Sequence, residues 1–246
     1  MLLKASHLKK DFKKGLVKAV DDVSMEIENG KTLGVVGESG SGKSTLAKLL
    51  LKLLKADGGQ ILFEGRDITV SDERNLKEFR KKVQVIFQEP FSSLDPRFTV
   101  RNILREPYLI AGQKNENFLE DKVRTLLRKV ELGDDFLSRL PHEMSGGECQ
   151  RVAIARAIST EPSLIVCDEP VSSLDALVQV QILNLLLKLQ QEKRVAYLFI
   201  SHDLRVVRHM SDDILVMKDG QVVEAGPRDQ VFNNPQDPYS KKLLKD

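Results

Sequence analysis

A chain of 246 residues, 41% of them apolar, has room for one large domain or two lobes and enough apolar surface for a substantial core. Its 38 basic and 36 acidic residues nearly cancel, to a formal charge of +2, and form no long block of one sign, which argues against a nucleic-acid tail. No stretch approaches the roughly 18 apolar residues of a membrane span, the opening MLLKASHLKKDFKK is no secretion signal, and Cys149 and Cys167 match no metal or redox spacing, so a soluble protein of a reducing cytoplasm is expected.

Alternation in LLKASHLKKDF and again in VDDVSMEIENG predicts two antiparallel strands, the second closed at the Asn29-Gly30 turn signal. TLGVVG reads as a short buried strand, and KSTLAKLLLKLL has the period and length of a helix. The pair Gly58-Gly59 is expected to end that helix, with GQILFEG returning as a strand. A charged helix (DERNLKEFRKK), an apolar strand (VQVIF) and a loop carrying Pro90 and Pro96 follow. From Phe98 to Leu140 the pattern is helical, in VRNILREPYLIAG and NFLEDKVRTLLRKVEL. SLIVCDEP is a strand, QVQILNLLLKLQQEK a helix, VAYLFISHD a strand, and DDILVMKDGQVVEAG a hairpin around Asp219-Gly220. Strands alternating with helices imply an α/β fold with a parallel core. We expect a single domain over 1–246, with a core and antiparallel β subdomain from 1–89 and 161–246 and an inserted helical subdomain at 90–160.

One stretch carries chemistry outright. Gly37, Gly42, Lys43 and Ser44 satisfy G-x-x-x-x-G-K-[ST], with a strand before and a helix after, as a phosphate-binding loop requires. The loop Gly37-Glu38-Ser39-Gly40-Ser41-Gly42-Lys43-Ser44-Thr45 would close its N–H groups around a nucleotide's β-phosphate, helped by the positive end of the helix. Lys43 would reach the β- and γ-phosphates and Ser44 would bind Mg²⁺. Asp168, ending an apolar strand, suits a second Mg²⁺ anchor, and Glu169 is placed to polarise the attacking water. Adjacent carboxylates at a strand end can also be a solvated turn; the phosphate loop tips the reading to catalysis.

A second serine-glycine-glycine loop, in PHEMSGGECQ, again opens a helix. Either it binds a second nucleotide, or it serves a nucleotide held by another chain.

With these motifs in this order, the chain resembles the ATP-binding subunits of ABC transporters over nearly its full length, which implies the phosphate-loop fold of that family. Gln88 in VIFQEP looks like the Q-loop glutamine, which senses Mg²⁺ and the γ-phosphate and couples to the membrane subunit. MSGGE at 144–148 looks like the signature motif, Ser172-Ser173-Leu174-Asp175 like the D-loop, and His202 like the switch histidine at the γ-phosphate. Phe12 falls where the family stacks an aromatic ring on adenine. The resemblance implies two cassettes packed head to tail, with Ser145, Gly146 and Gly147 of each capping the ATP of the other. Glu148 departs from the glutamine usual there: either it repels the phosphate, or it forms a capping box with Ser145.

FQEPFSSLDPRFTV and FNNPQDPYSKKLL resemble the peptide and nickel importer branch. The sequence ends at Asp246 without the cysteine-bearing extension of many peptide-type members, which favours a nickel-type form. The implied partners are a second cassette, identical or related, two integral-membrane permease subunits and, indirectly, a substrate-binding protein, at the cytoplasmic face of the plasma membrane. A soluble ABC ATPase would usually carry a coiled coil or second cassette, and a kinase would have no use for MSGGE. Phe91 and Phe98 are either subdomain core or part of a groove for a membrane partner.

Overall fold

The computed structural model describes residues 1–12, 17–70 and 73–244, with the side chains of 73–75 left aside. β1 (Leu3–Phe12) and β2 (Val17–Ile27) pair antiparallel, Leu3 opposite Ile27 and Phe12 opposite Val17. β3 (Thr32–Val36) starts a second sheet and runs through the phosphate loop into α1 (Lys43–Leu50). β4 (Gly58–Phe63) returns to the free edge of β1, and β5 (Arg66–Asp67) completes a sheet of order β2-β1-β4-β5. α2 (Glu73–Lys82), whose predicted start at Asp72 lies outside the described residues, leads into β6 (Val83–Ile86).

Every element assigned between Pro90 and Ile158 is helical: α3 (Pro90–Ser93), α4 (Val100–Ile110), α5 (Glu116–Lys129), two single turns, and α6 (Gly146–Ile158). Then come β7 (Leu164–Asp168), α7 (Ala176–Lys193), β8 (Ala196–Ile200), α8 (Leu204–Met210), β9 (Asp213–Lys218), β10 (Gln221–Pro227), α9 (Arg228–Asn233) and α10 (Pro238–Leu243). The second sheet has the order β10-β9-β3-β8-β7-β6, parallel throughout except for the β9–β10 hairpin.

The near-continuous apolar runs of β7 and β8 follow from burial on both faces. Ile165, Cys167, Tyr197 and Phe199 point into a core shared with the helices α4 to α8. Leu164, Val166, Ala196, Leu198 and Ile200 point the other way, onto α1 and the first sheet, meeting Leu46, Leu49, Leu8 and Val20. The helical stretch has no core of its own: Val100, Leu104 and Val123 belong to the same cluster as Ile165 and Tyr197.

Two expectations need correction. α1 stops at Leu50 instead of continuing to Leu54, because Lys52 adopts a left-handed conformation (φ 58°) and Leu53 and Leu54 bond back to the Lys48 carbonyl. Gly58 and Gly59 do not end a helix; they open β4. Gly59 has φ +93° and sits against a bulge in β1 between Ser6 and Lys9, where a Cβ would fall 2.4 Å from the His7 carbonyl oxygen. Only glycine fits. The short helices α3, α8, α9 and α10 were not predicted, their apolar patterns being too brief to show a period.

Gly59→Ala would combine left-handed strain with a backbone clash, so it should destabilise the fold by about 2–4 kcal/mol. The urea midpoint of the variant against the wild type measures this.

Candidate active site

A cleft of about 580 Å³ opens where β3 meets α1. Ser39, Gly40, Gly42, Lys43, Ser44 and Thr45 form its floor; Val17, Lys18 and Ala19 of β2 form one wall, and Glu169, His202 and Asp219 stand around the rest. The loop is packed tightly from outside. Gly42, at φ +104°, lets the backbone approach β2 so closely that a Cβ would lie 2.2 Å from the Ala19 carbonyl oxygen. The Gly220 N–H of the β9–β10 turn donates to the Ser41 carbonyl at 3.1 Å, and the Gly220 carbonyl accepts from the Asp21 N–H at 2.8 Å.

Inside this frame Lys43 is only 7% exposed. Its Nζ donates to the Gly37 carbonyl (2.7 Å), the Glu38 carbonyl (2.8 Å) and Ser41 Oγ (3.3 Å). Burial lowers the ammonium's pKa, opposed by the charges of Glu169 and Asp168. The lysine thus lies folded over its own loop, charged donors facing carbonyls that a phosphate's oxygens can replace.

Asp168 ends β7, and Ser44 Oγ donates to its Oδ1 at 3.4 Å. Burial pushes the Asp168 carboxyl above its usual range, partly offset by that hydrogen bond. Among the described residues no cluster of three or more His, Cys, Asp or Glu is built to hold a metal. Ser44 Oγ and Asp168 Oδ1, one hydroxyl and one carboxylate, are a donor set that fits Mg²⁺ at a triphosphate, because that ion takes most of its ligands from phosphate and water. Glu169 follows in the left-handed region (φ 52°), fixed by its N–H to the Ile200 carbonyl at 2.9 Å. Its Oε2 lies 3.1 Å from His202 Nδ1, so the two side chains meet across the ends of β7 and β8.

Gln88, just past β6, does not line the cleft; its backbone carbonyl accepts from Ser173 Oγ at 3.3 Å, joining the two loops. Asp175 caps α7 by accepting the Val178 N–H. Phe12 stands at the end of β1, 38% exposed and outside the cleft lining, but paired with Val17, which is in it. Ser145, Gly146 and Gly147 also lie outside the cleft. Ser145 caps α6: its Oγ accepts the Glu148 N–H (3.3 Å), while Glu148 Oε2 accepts the Ser145 N–H (2.7 Å). The capping-box alternative for Glu148 is the one the fold adopts.

Three features escaped sequence reasoning. Gln150, fully buried in α6, donates from Nε2 to the Pro170 carbonyl at 2.6 Å, beside Glu169. The β2 wall and Asp219 reach the cleft only through tertiary packing. Tyr239 touches the loop through the Glu38 N–H. Only the last had a visible signal, in the tail FNNPQDPYSKKLL, which reads as a mark of branch and not as part of a site.

A glycine loop between strand and helix, a lysine at its heart and a carboxylate pair across the sheet define a phosphate-loop nucleoside triphosphatase. The chain belongs to the ABC transporter family, whose model matches residues 20–172. It is an ATPase of that family, binding and hydrolysing ATP. It is similar to the dipeptide transport ATP-binding protein DppF of Escherichia coli (strain K12), at 47% identity over 99% of this chain and 75% of that protein. It is 48% identical to the oligopeptide transport ATP-binding protein AppF of Bacillus subtilis (strain 168), over 94% of this chain and 71% of the relative. The ATP-binding cassette MJ0796, solved as a post-hydrolysis dimer bound to ADP and Pi, shares its fold with a TM-score of 0.83 at 29% identity, over 92% of this chain and 99% of that one.

Glutamine at 148 would keep an acceptor for the Ser145 N–H. Glu148→Gln should therefore change the unfolding free energy by less than about 1 kcal/mol and leave ATP affinity unchanged. Denaturation and ATP titration of one preparation test both.

Proposed function

We propose that this chain energises an importer of dipeptides or oligopeptides, hydrolysing ATP at the cytoplasmic face of the plasma membrane. The observation that carries this is its 47% identity, over 99% of its length, to a dipeptide transport ATP-binding protein. The relatives described above carry peptide descriptions, so the nickel-type form favoured from the sequence gives way to a peptide cargo. Among the described residues no helix is long and apolar enough to cross a membrane; in this reading the solute path belongs to integral-membrane permease partners.

In this reading Gly37 to Thr45 hold the phosphates, with Lys43 exchanging its loop carbonyls for phosphate oxygens. Ser44 and Asp168 would hold Mg²⁺, which would screen the phosphate charge, and Gln88, outside the cleft lining, would have to move in to join them. Glu169 takes the proton of the attacking water. His202, 3.1 Å from Glu169, orients that carboxylate and reaches the γ-phosphate. Phe12 supplies a face for adenine, beside the β2 wall. Ser145, Gly146 and Gly147 present a hydroxyl and a helix N-terminus to the nucleotide of a second cassette, with Asp175 at the same junction, so closure requires two chains. In this reading the helical stretch (90–160) shifts against the rest (1–89, 161–246) on closure, over the core that they share. A soluble ABC ATPase uncoupled from transport is the reading the next experiment would leave standing if uptake does not follow.

In the source organism, a strain lacking this chain should regain uptake of radiolabelled peptide, and not of nickel-63, on complementation. Glu169→Gln should fail to restore it, binding ATP as the wild type does while hydrolysis falls by about 10²–10⁴-fold. Lys43→Ala should lose ATP binding itself. Uptake of neither solute would remove the importer reading.

We assign the coupling surface to two rings. Phe91 and Phe98 are 46% and 36% exposed, against the expectation for a buried core. Phe91, the second residue of α3, approaches the first turn of α6, its ring 3.9 Å from where a Cβ on Gly146 would stand. Phe91→Ala should weaken pull-down of the permease subunits while melting temperature and ATP affinity of the chain hold. Unchanged pull-down would exclude this surface from docking.

A further inference from the structure

The C-terminal segment makes a contact that nothing above requires. Glu224 of β10 accepts the Gln236 N–H at 2.8 Å and the Asp237 N–H at 3.1 Å, pinning the chain as it leaves α9. Asp237 then caps α10, accepting the Tyr239 and Ser240 N–H groups. Ser240 is fully buried, and Leu243 and Leu244 pack on the main core. This fixes the ring of Tyr239, with the Lys218 ammonium 5.1 Å from its centre. Its hydroxyl accepts the Glu38 N–H at 3.0 Å, across 201 residues of sequence. Burial raises the phenol's pKa above its ordinary value, so the hydroxyl stays protonated at neutral pH.

Glu38 is where this matters. Its carbonyl accepts both the Ser41 N–H (3.2 Å) and the Lys43 Nζ (2.8 Å), so one residue receives the tail on its N–H and the lysine on its oxygen. We propose that Tyr239 is a positioning residue for nucleotide binding, its hydroxyl fixing Glu38 so that the phosphate loop is shaped for phosphate before ATP arrives, with residues 234–244 as the strut that carries it. The proposal rests on residues 37–45 being the phosphate site. A pre-shaped loop binds tighter because less ordering is left to the binding step. The effect belongs to affinity and not to the chemical step, since Tyr239 touches neither Glu169 nor His202 in the contacts of either residue.

The test uses the full chain and calorimetric titration with ATP and with ADP. Tyr239→Phe keeps the ring, its packing and its contact with Lys218, and removes only the acceptor. Both dissociation constants should rise about fivefold, the equivalent of one ordinary hydrogen bond. kcat at saturating ATP should stay within about twofold, and the nucleotide-free melting temperature within about 2 °C. Glu224→Ala, which releases the tail at its root, should weaken binding in the same direction. The double variant should lose less than the product of the two, because both act through one contact. ATP affinity within about 1.5-fold of wild type for Tyr239→Phe would overturn the proposal, and so would a loss that tracks a fall in melting temperature. Multiplicative effects in the double variant would also overturn it. If Lys43→Ala binds ATP like the wild type, the phosphate-site reading itself falls, and this proposal with it.

Discussion

A buried ammonium organises this molecule. Lys43 is held off solvent, and a charge taken from water must find partners or lose its proton. The partners it finds are carbonyls and a hydroxyl of its own loop, which can converge on one point only if the loop curls tightly. The curl needs Gly42 in a left-handed conformation, and it needs walls to keep it from relaxing. β2, the β9–β10 turn and the tail each supply one, from parts of the chain far apart in sequence. Much of the architecture can be understood as the enclosure of that one group, left with ligands weak enough to yield to phosphate.

What encloses the lysine also connects outward. Ser173 reaches back to Gln88, Gln150 holds the Pro170 carbonyl beside Glu169, and Arg156 donates to the Ser93 carbonyl at 2.7 Å. These bonds run between side chains of one element and the backbone of another. They tie α6, α3 and the loop after β7 together, so that a displacement of one would be resisted by the others. The helices have no separate core to absorb such a displacement, because their apolar faces are continuous with the sheet.

How much of this was legible depended on distance along the chain. The glycine-lysine-serine loop and the alternation of the first strands are written within a few residues, and sequence was enough; the Ser145–Glu148 box was one of two readings it offered, and the fold decided between them. The double-sided burial of β7 and β8 was visible as uninterrupted apolar runs. Gly58-Gly59 misled because a glycine pair looks alike whether it breaks a helix or admits a bulge; only the His7 carbonyl, from another strand, decides. Tyr239 stands in a stretch legible as a mark of branch, but its partner lies 201 residues away and nothing near it in sequence announces a phosphate loop.

The box at the start of α6 has one more consequence. It uses the Ser145 and Glu148 N–H groups internally, with Gly146 and Gly147 between them in the same turn and a fixed carboxylate at its end. If the second cassette is a related chain with glutamine in that place, the two composite nucleotide sites would differ by one unit of charge. Because the box spends the carboxylate on the Ser145 N–H, such a pair would differ in charge while keeping the same shape of turn.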